Sequence, residues 1–288
     1  MLQSINSERK KRLAELFDNG ASEYDQVGSR FFSHFGQRLV DIVQPEEGSK
    51  VLDVATGRGA ILFPASKNIG DNGRVIGIDI SSVMVEETNK EIGALNLTNA
   101  EAIVMDVEDM NFTDGSFDYV MCGFGLAFFP QLKRALKECR RVLSPNGQFA
   151  TTCFLNEQNL GFPWLPTLLP DHLSPEVLQK VISQTFELQL ADPWMKESEL
   201  KSLLTDMGFK DVEVFSEKTE FVFNSEEEWW AMLDSIPFIQ ALLKNIEKIV
   251  DQKIIDRIRS DAEERLKTHR QSDGYHHSIT VVVAQGRV

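Results

Sequence analysis

Asp53 stands four residues before a glycine turn, Gly57-Arg58-Gly59, and Asp79 stands twenty-two residues after Gly57. Glycine at such a turn reaches backbone angles closed to other residues and lets a ligand lie against the main chain. The apolar run Val51–Ala55 reads as a strand entering the turn, and Ala60 to about Ile69 reads as a helix leaving it. The free N–H groups and partial positive charge of that helix then face whatever the turn receives. Asp79 ends a second apolar run, Arg74-Val-Ile-Gly-Ile-Asp79, where an acid can accept both hydroxyls of a ribose. The pattern predicts a nucleoside-binding α/β unit, with Asp53 at a strand end where it could meet an ammonium group. The dinucleotide fingerprint G-x-G-x-x-G fails because Leu62 occupies its third glycine. No Gly-Lys-Ser/Thr follows the glycines, so a phosphate-cradling loop is excluded too.

The elements that position these residues follow from hydrophobic periodicity. Residues Ser4–Asn19 read as an amphipathic helix with Leu13, Leu16 and Phe17 on one face, and Val27–Val43 as a second helix ended by Pro45. Strands are predicted at Lys50–Ala55, Arg74–Asp79, Ala102–Met105, Phe117–Cys122 and Gln148–Phe154, with helices near 60–69, 82–94 and 131–143 between them. This alternation argues a parallel sheet covered by helices on both faces. Ser144-Pro-Asn-Gly147 reads as a turn into the fifth strand. Residues 156–195 then read as a proline-rich insertion with one helix near 175–188. A helix at 196–207 and a strand Val212–Phe223 return to the core. Residues 225–271 read as a helical pair carrying Trp229, Trp230, Leu233, Phe238, Leu242 and Ile246, before a closing strand Ser278–Ala284.

Five blocks in order, VLDVATGRGA, GIDIS, AIVMDVEDM, FDYVMCGFG and LKECRRVLSPNGQF, resemble the class I S-adenosylmethionine-dependent methyltransferases. The Phe-Gly-Leu after the fourth strand and Ala21-Ser-Glu-Tyr24-Asp25 are similar to the quinone-type carbon methyltransferases and their relatives. The resemblance implies a doubly wound, Rossmann-like sheet of seven strands whose last strand is antiparallel. It implies S-adenosyl-L-methionine as cofactor and S-adenosyl-L-homocysteine as product. By the same resemblance Gly57 and Gly59, with Ala55 beside them, pack against the methionine portion, and Tyr24 covers it. Asp79 meets the ribose, Ile80 beside it belongs to the cofactor site, Met84 lies against adenine, Asp106 accepts from the adenine amino group, and the Val107 N–H lies nearby. Gly123 and Phe124 stand where the methyl group is delivered, and Phe128 and Phe129 are further lining candidates. The chain departs from the quinone-type pattern in two places: Arg58 replaces the usual Thr of Gly-Thr-Gly, and about 50 residues separate the last two strands.

That long segment has a topological consequence. Ligands bind at the carboxyl ends of parallel strands, and an antiparallel final strand begins at that same edge. Residues 225–277, and the insertion at 156–195, are therefore expected to emerge beside the cofactor as a helical lid, between core pieces 46–155, 196–224 and 278–288, behind an N-terminal helical segment 1–45. If the methyl acceptor needs a base, Tyr275, His276 and His277 are the candidates, with His172 a fourth, because a histidine titrates near neutral pH. Transfer from a sulfonium otherwise requires only alignment and exclusion of water.

Lys plus Arg number 30 against 44 acids, a net charge of −14, which counts against a nucleic-acid substrate. The Cys-Gly-Phe-Gly after the fourth strand also lacks the Pro-Pro pair of base-amino methyltransferases. No apolar run approaches the roughly 20 residues of a membrane span, and the N-terminus lacks a signal-peptide core. Cys122, Cys139 and Cys153 have no metal-like spacing and suit a reducing cytoplasm. No metal is expected. The expected function is methylation of a small, partly apolar or aromatic metabolite at oxygen, nitrogen or carbon. A peptide acceptor and a non-catalytic cofactor-binding scaffold are the alternatives, and the oligomeric state is open.

Overall fold

Alternate residues of the strands point to opposite faces of a sheet, and here that period sorts the apolar residues into two cores. In the computed structural model, which describes residues 2–26, 30–155, 165–185 and 194–288, Val51, Met121, Ala150, Val281 and Val283 face one core. Their neighbours Leu52, Val120, Cys122, Phe149, Val282 and Ala284 face the other. The strands are β1 (Lys50–Val54), β2 (Arg74–Asp79), β3 (Ala100–Val104), β4 (Phe117–Gly123), β5 (Leu143–Leu155), β6 (Trp194–Met195), β7 (Lys210–Phe223), β8 (Arg270–Gln271) and β9 (Gly274–Arg287). The seven long ones run in the order β3-β2-β1-β4-β5-β9-β7, with the short β6 beside β5 and β8 beside β9. The first five pair in parallel, and β9 runs antiparallel between β5 and β7. This is the expected α/β, doubly wound, Rossmann-like sheet.

The α-helices of the described residues are α1 (Leu2–Gly20), α2 (Phe31–Val43), α3 (Leu62–Ile69), α4 (Ser82–Ala94), α5 (Leu132–Val142), α6 (Leu165–His172), α7 (Pro175–Thr185), α8 (Glu197–Asp206), α9 (Glu226–Asp234), α10 (Pro237–Ile249) and α11 (Gln252–Lys267). Helices α2 and α3 cover the first face, with the layer α6, α7, α9, α10 and α11 joining that core. Helices α5 and α8 cover the second. Among the described residues no helix is long and apolar enough to cross a membrane.

Four elements differ from the sequence reading. The expected helical pair is three helices, because Pro237 starts α10 at its first turn and Asp251 caps α11 by accepting from the Ile254 N–H at 3.1 Å. Helix α6 forms with Pro170 inside it, where an irregular stretch was expected. The Ser144–Gly147 turn lies within β5 as a bulge, with the partner register jumping from Leu143 to Gln148 and Asn146 at φ +66°. Strand β9 starts at Gly274, four residues before the expected Ser278, and its first residues continue the ladder with β7: Phe223 opposes Tyr275, Val222 His276 and Phe221 His277.

Candidate active site

The strand order reverses between β1 and β4, and the chain leaves both strands in a left-handed conformation without glycine. Ala55 follows β1 at φ +55° and Phe124 follows β4 at φ +60°. Such residues cost about 1–3 kcal/mol each and persist only where their surroundings fix them. The Phe124 N–H donates to the Thr152 carbonyl at 3.0 Å, and its ring packs 4.7 Å from Phe154, 5.4 Å from Phe31 and 5.6 Å from Phe32. The turn after β1 is tied to β2 by Asp79. Its Oδ2 accepts from the Gly57 N–H at 2.9 Å and its Oδ1 from the Ser81 N–H at 2.9 Å. Burial pushes the Asp79 carboxyl up, and those amides offset part of the effect. Gly57 sits at φ +52°, and a Cβ there would point 3.6 Å from the Tyr24 ring. Gly59 serves packing instead, since a Cβ would lie 2.5 Å from the Phe63 ring.

Asp53 is 1% exposed inside this turn. Its Oδ2 accepts from Thr56 Oγ1 at 2.7 Å and from the Leu62 N–H at 3.0 Å. Burial raises its pKa to about 7, against the lowering effect of those two donors, and the nearby Asp79 charge adds to the rise. Asp53, Thr56, Ala60 and Ile61 line a small cavity that continues a larger cleft; the two share Tyr24, Phe32, Ala55, Gly57, Gly123 and Phe124.

The larger cleft holds about 1280 Å³ of unfilled space, its open mouth included. Its floor follows the sheet order. Asp106 and Val107 follow β3, Asp79 ends β2 with Ile80 and Met84 next, Ala55 and Gly57 follow β1, Gly123 and Phe124 end β4, and Phe154 lies near the end of β5. Strands lie about 4.8 Å apart, so the four steps from β3 to β5 span about 19 Å. The carboxylates lie at the β2–β3 end and the phenyl rings at the β4–β5 end. The roof comes from outside the sheet: Lys10, Leu13 and Phe17 of α1, Tyr24 and Phe32 around the start of α2, and Ile236, Phe238 and Ile239 at α10.

Tyr24 is clamped from both sides. Its ring stacks on Phe32 at 4.8 Å and meets Phe17 edge-on at 6.3 Å. Asp25, left-handed at φ +56°, accepts from the Phe32 N–H at 3.0 Å and the Ser33 N–H at 2.6 Å, capping α2. On the other side Arg58 Nη1 donates to the Ala21 carbonyl at 2.7 Å. Burial, with the charges of Asp25 and Asp79, raises the Tyr24 phenol pKa well above its ordinary value, so the hydroxyl keeps its proton.

The structure therefore brings Tyr24, Ala55, Gly57, Asp79, Ile80, Met84, Asp106, Val107, Gly123 and Phe124 around one cleft, with Phe128 and Phe129, and Asp53 in its extension. It does not bring Tyr275, His276 or His277 there. None of the three lines the cleft, because β9 begins early and places them in a paired ladder. Trp229 Nε1 donates to His277 Nδ1 at 3.1 Å, and burial lowers the His277 pKa to about 4. Tyr275 donates its hydroxyl to Glu226 at 2.9 Å. His276, on the opposite face, lies 2.8 Å from Asp273 and 3.0 Å from Glu220, which hold its pKa above the ordinary value. His172 pairs with Asp261 of α11 at 2.8 Å. Lys10, Phe32, Glu108 and Phe154 were not singled out in the sequence although they line the cleft. Leu13 and Phe17, on the apolar face of α1, also line the cleft.

Acids at β2 and β3 in a largely apolar cleft, and a turn whose glycine leaves the main chain open, fit an extended cofactor with a ribose, an amino-purine and an ammonium group. The comparisons agree. The chain is 38% identical over 193 residues to aklanonic acid methyltransferase DauC of Streptomyces sp. (strain C5), covering 67% of this chain and 83% of that protein. It is 34% identical over 217 residues to nocamycin O-methyltransferase of Saccharothrix syringae, covering 74% and 77%. In structure it resembles a methyltransferase fold from Bacillus halodurans, with TM-score 0.55 and 21% identity over 87% of this chain and 96% of that one. The model of the ubiE/COQ5 methyltransferase family matches residues 4–223, and the chain belongs to that family as an S-adenosylmethionine-dependent methyltransferase.

Proposed function

We propose that this enzyme methylates an oxygen of a small, flat, largely apolar metabolite, held at the phenyl-walled end of the cleft. The observation that carries the reading is the gradient along the cleft floor, from carboxylates at β3 and β2 to Phe124 and Phe154 at β4 and β5. Aromatic walls favour planar ligands through stacked and edge-on ring contacts. The oxygen acceptor is drawn from the two relatives, one named for an acid and one for O-methylation. The net charge of −14 opposes a nucleic-acid partner, and the three buried free cysteines suit a cytoplasmic setting.

When bound, the cofactor would supply a methyl group on a sulfonium: the C–S bond breaks to a neutral thioether as the acceptor oxygen, entering as carboxylate or phenolate with its proton already given up to solvent, takes the methyl. The chain's part is alignment and dryness. Asp79 accepts from the ribose while its own bonds to Gly57 and Ser81 fix its orientation, and Asp106 accepts from the purine amino group. Asp53, held by Thr56 and the Leu62 amide, faces the ammonium group. Tyr24 closes the cleft over Gly57. Phe32, Phe124 and Phe154 seat the acceptor ring at the β4 end, and Phe238 of α10 covers it.

Incubation with S-adenosylmethionine and a panel of aromatic acids, phenols, quinols, peptides and aliphatic amines, read by product mass, tests this. Methylated aromatic acids or phenols are expected, with turnover falling at least tenfold in Phe154→Ala at unchanged S-adenosylhomocysteine affinity. Transfer to peptides or aliphatic amines alone would overturn the acceptor assignment.

A further inference from the structure

Lys10 is a cation of the cleft lining and belongs to α1, outside the sheet. Its ammonium lies 2.6 Å from Asp106 Oδ2 and 2.5 Å from Glu108 Oε2, with 17% of the side chain exposed. Glu108 is 1% exposed and is committed elsewhere too, accepting from the Gln131 N–H at 2.6 Å and from Gln131 Nε2 at 2.8 Å just before α5. The second oxygen of Asp106 accepts from the Glu108 N–H at 2.9 Å. Both oxygens of Asp106 are thus fixed, one by the main chain and one by Lys10. A single ammonium in contact with both carboxylates draws together two like charges that would otherwise push apart. Burial works against a charged Lys10, and its bonds to Asp106 and Glu108 outweigh that and hold its pKa above the ordinary lysine value.

We propose that Lys10 is a positioning residue for cofactor recognition: it fixes the Asp106 carboxylate in the orientation that accepts from the purine amino group, and so carries the selection of an amino-purine over an oxo-purine. The inference rests on the cofactor seating described above, with its purine at the β3 end. Its physical content is directional. Asp106 is about one-third exposed at the cleft and free to rotate but for these two bonds. Without Lys10, Glu108 stays anchored by Gln131, and repulsion from Glu108 turns Asp106 away from the purine edge. The main-chain N–H of Val107, the other polar group on that side of the cleft, does not depend on Lys10. The loss therefore falls on discrimination between purines more than on binding as such.

The test compares S-adenosylhomocysteine with its inosine counterpart, in which an oxygen replaces the purine amino group, by calorimetry on the full chain. The parent is expected to prefer the adenosine form at least thirtyfold. Lys10→Met should lose about tenfold in affinity for the adenosine form and change little for the inosine form. Lys10→Arg should restore most of the preference, since guanidinium also spans two carboxylates. In an Asp106→Ala background Lys10→Met should have no further effect on the preference. A structural role alone would weaken both ligands equally and leave their ratio intact, and that result overturns the proposal, as does an unchanged preference in Lys10→Met. Failure of the parent to bind either ligand would overturn the cofactor seating itself and is separately visible. A lowered melting temperature in Lys10→Met with an unchanged ratio counts against the proposal.

Discussion

A carboxylate that is 1% exposed and half-titrated near neutrality couples ligand binding to protons. Asp53 keeps its proton up to about pH 7 in the folded chain, whereas an unfolded aspartate loses it near 3.8. The folded state therefore binds more protons across that window, and Asp53 contributes stability below 3.8 that is lost as pH rises through about 7. An ammonium group facing Asp53 reverses the preference locally by favouring the charged form. Cofactor affinity should then rise with pH up to about 7 and level off, with proton release on binding below it. Calorimetry in buffers of different ionisation heat would read that release. Asp53→Asn should flatten the profile, and a flat profile in the parent would detach Asp53 from the cofactor. His277 runs the other way. Its pKa falls from an ordinary 6.5 to about 4, so the unfolded chain takes up protons that the folded chain refuses. Stability that is complete above about 6.5 should fall as pH drops toward 4. His277→Gln keeps an acceptor for Trp229 and should remove that slope in denaturation midpoints, while turnover at neutral pH stays within a few-fold of the parent. A hundredfold loss of turnover at unchanged cofactor affinity would return His277 to a catalytic role.

Between the helices, Arg58 ties the glycine turn to the segment that ends α1. Its side chain is 10% exposed, its Nη1 bonds the carbonyl of the fully buried Ala21, and its Nη2 lies 3.6 Å from Glu91. Exchanging Arg58 for Thr, the residue of the quinone-type turn, leaves that carbonyl without this donor. A buried carbonyl without a partner costs about 1–3 kcal/mol. The cost should appear locally, because Asp25 still caps α2 on the other side of Tyr24. Hydrogen exchange should quicken at Ala21–Tyr24 and the last turn of α1, and the β1 and β4 amides should keep their protection. Equal quickening throughout would mean that Arg58 supports the whole core rather than the cap. Legibility also divides at this scale. The β1 turn, Asp79 at the end of β2 and the succession of the first five strands are readable because each is set by neighbours in sequence: an apolar run, a glycine, an acid at a strand end. Residues contributed from a distance are not. Phe32 and Phe154 have the spacing of ordinary core positions, and only the packing of α2 against the end of β5 turns them toward a cleft. The start of β9 was hidden because Tyr275-His276-His277 carries no apolar alternation, and its strand conformation comes from pairing with β7.

The whole molecule places one sheet edge under three separate pieces of chain: α1, the start of α2, and the α9–α11 layer. Helix α10 packs on α1 and on α7, and α11 on α6, so the layer adjoins the N-terminal cap. Ile236, Phe238 and Ile239 reach the cleft from its start, beside Phe17 and Phe32 of the cap. Buried apolar side chains on this layer, among them Trp229, Leu233, Leu242 and Ile246, fix it to the first core. Motion is then expected where the layer meets the cleft, at the junction of α9 and α10, and not at the strands that flank it. On the proposed seating, the cofactor would touch the floor and the cap, and an acceptor at the β4–β5 end would also touch Phe238. Exchange at Ile236–Leu242 should therefore slow little with S-adenosylhomocysteine and several-fold more when an accepted aromatic substrate is added. The α11 amides, one layer further out, should change less. If S-adenosylhomocysteine alone gives the full protection, α10 is a fixed wall of the cofactor site. If neither ligand changes it, the acceptor enters elsewhere, and Phe238→Ala should then leave the KM for the acceptor unchanged.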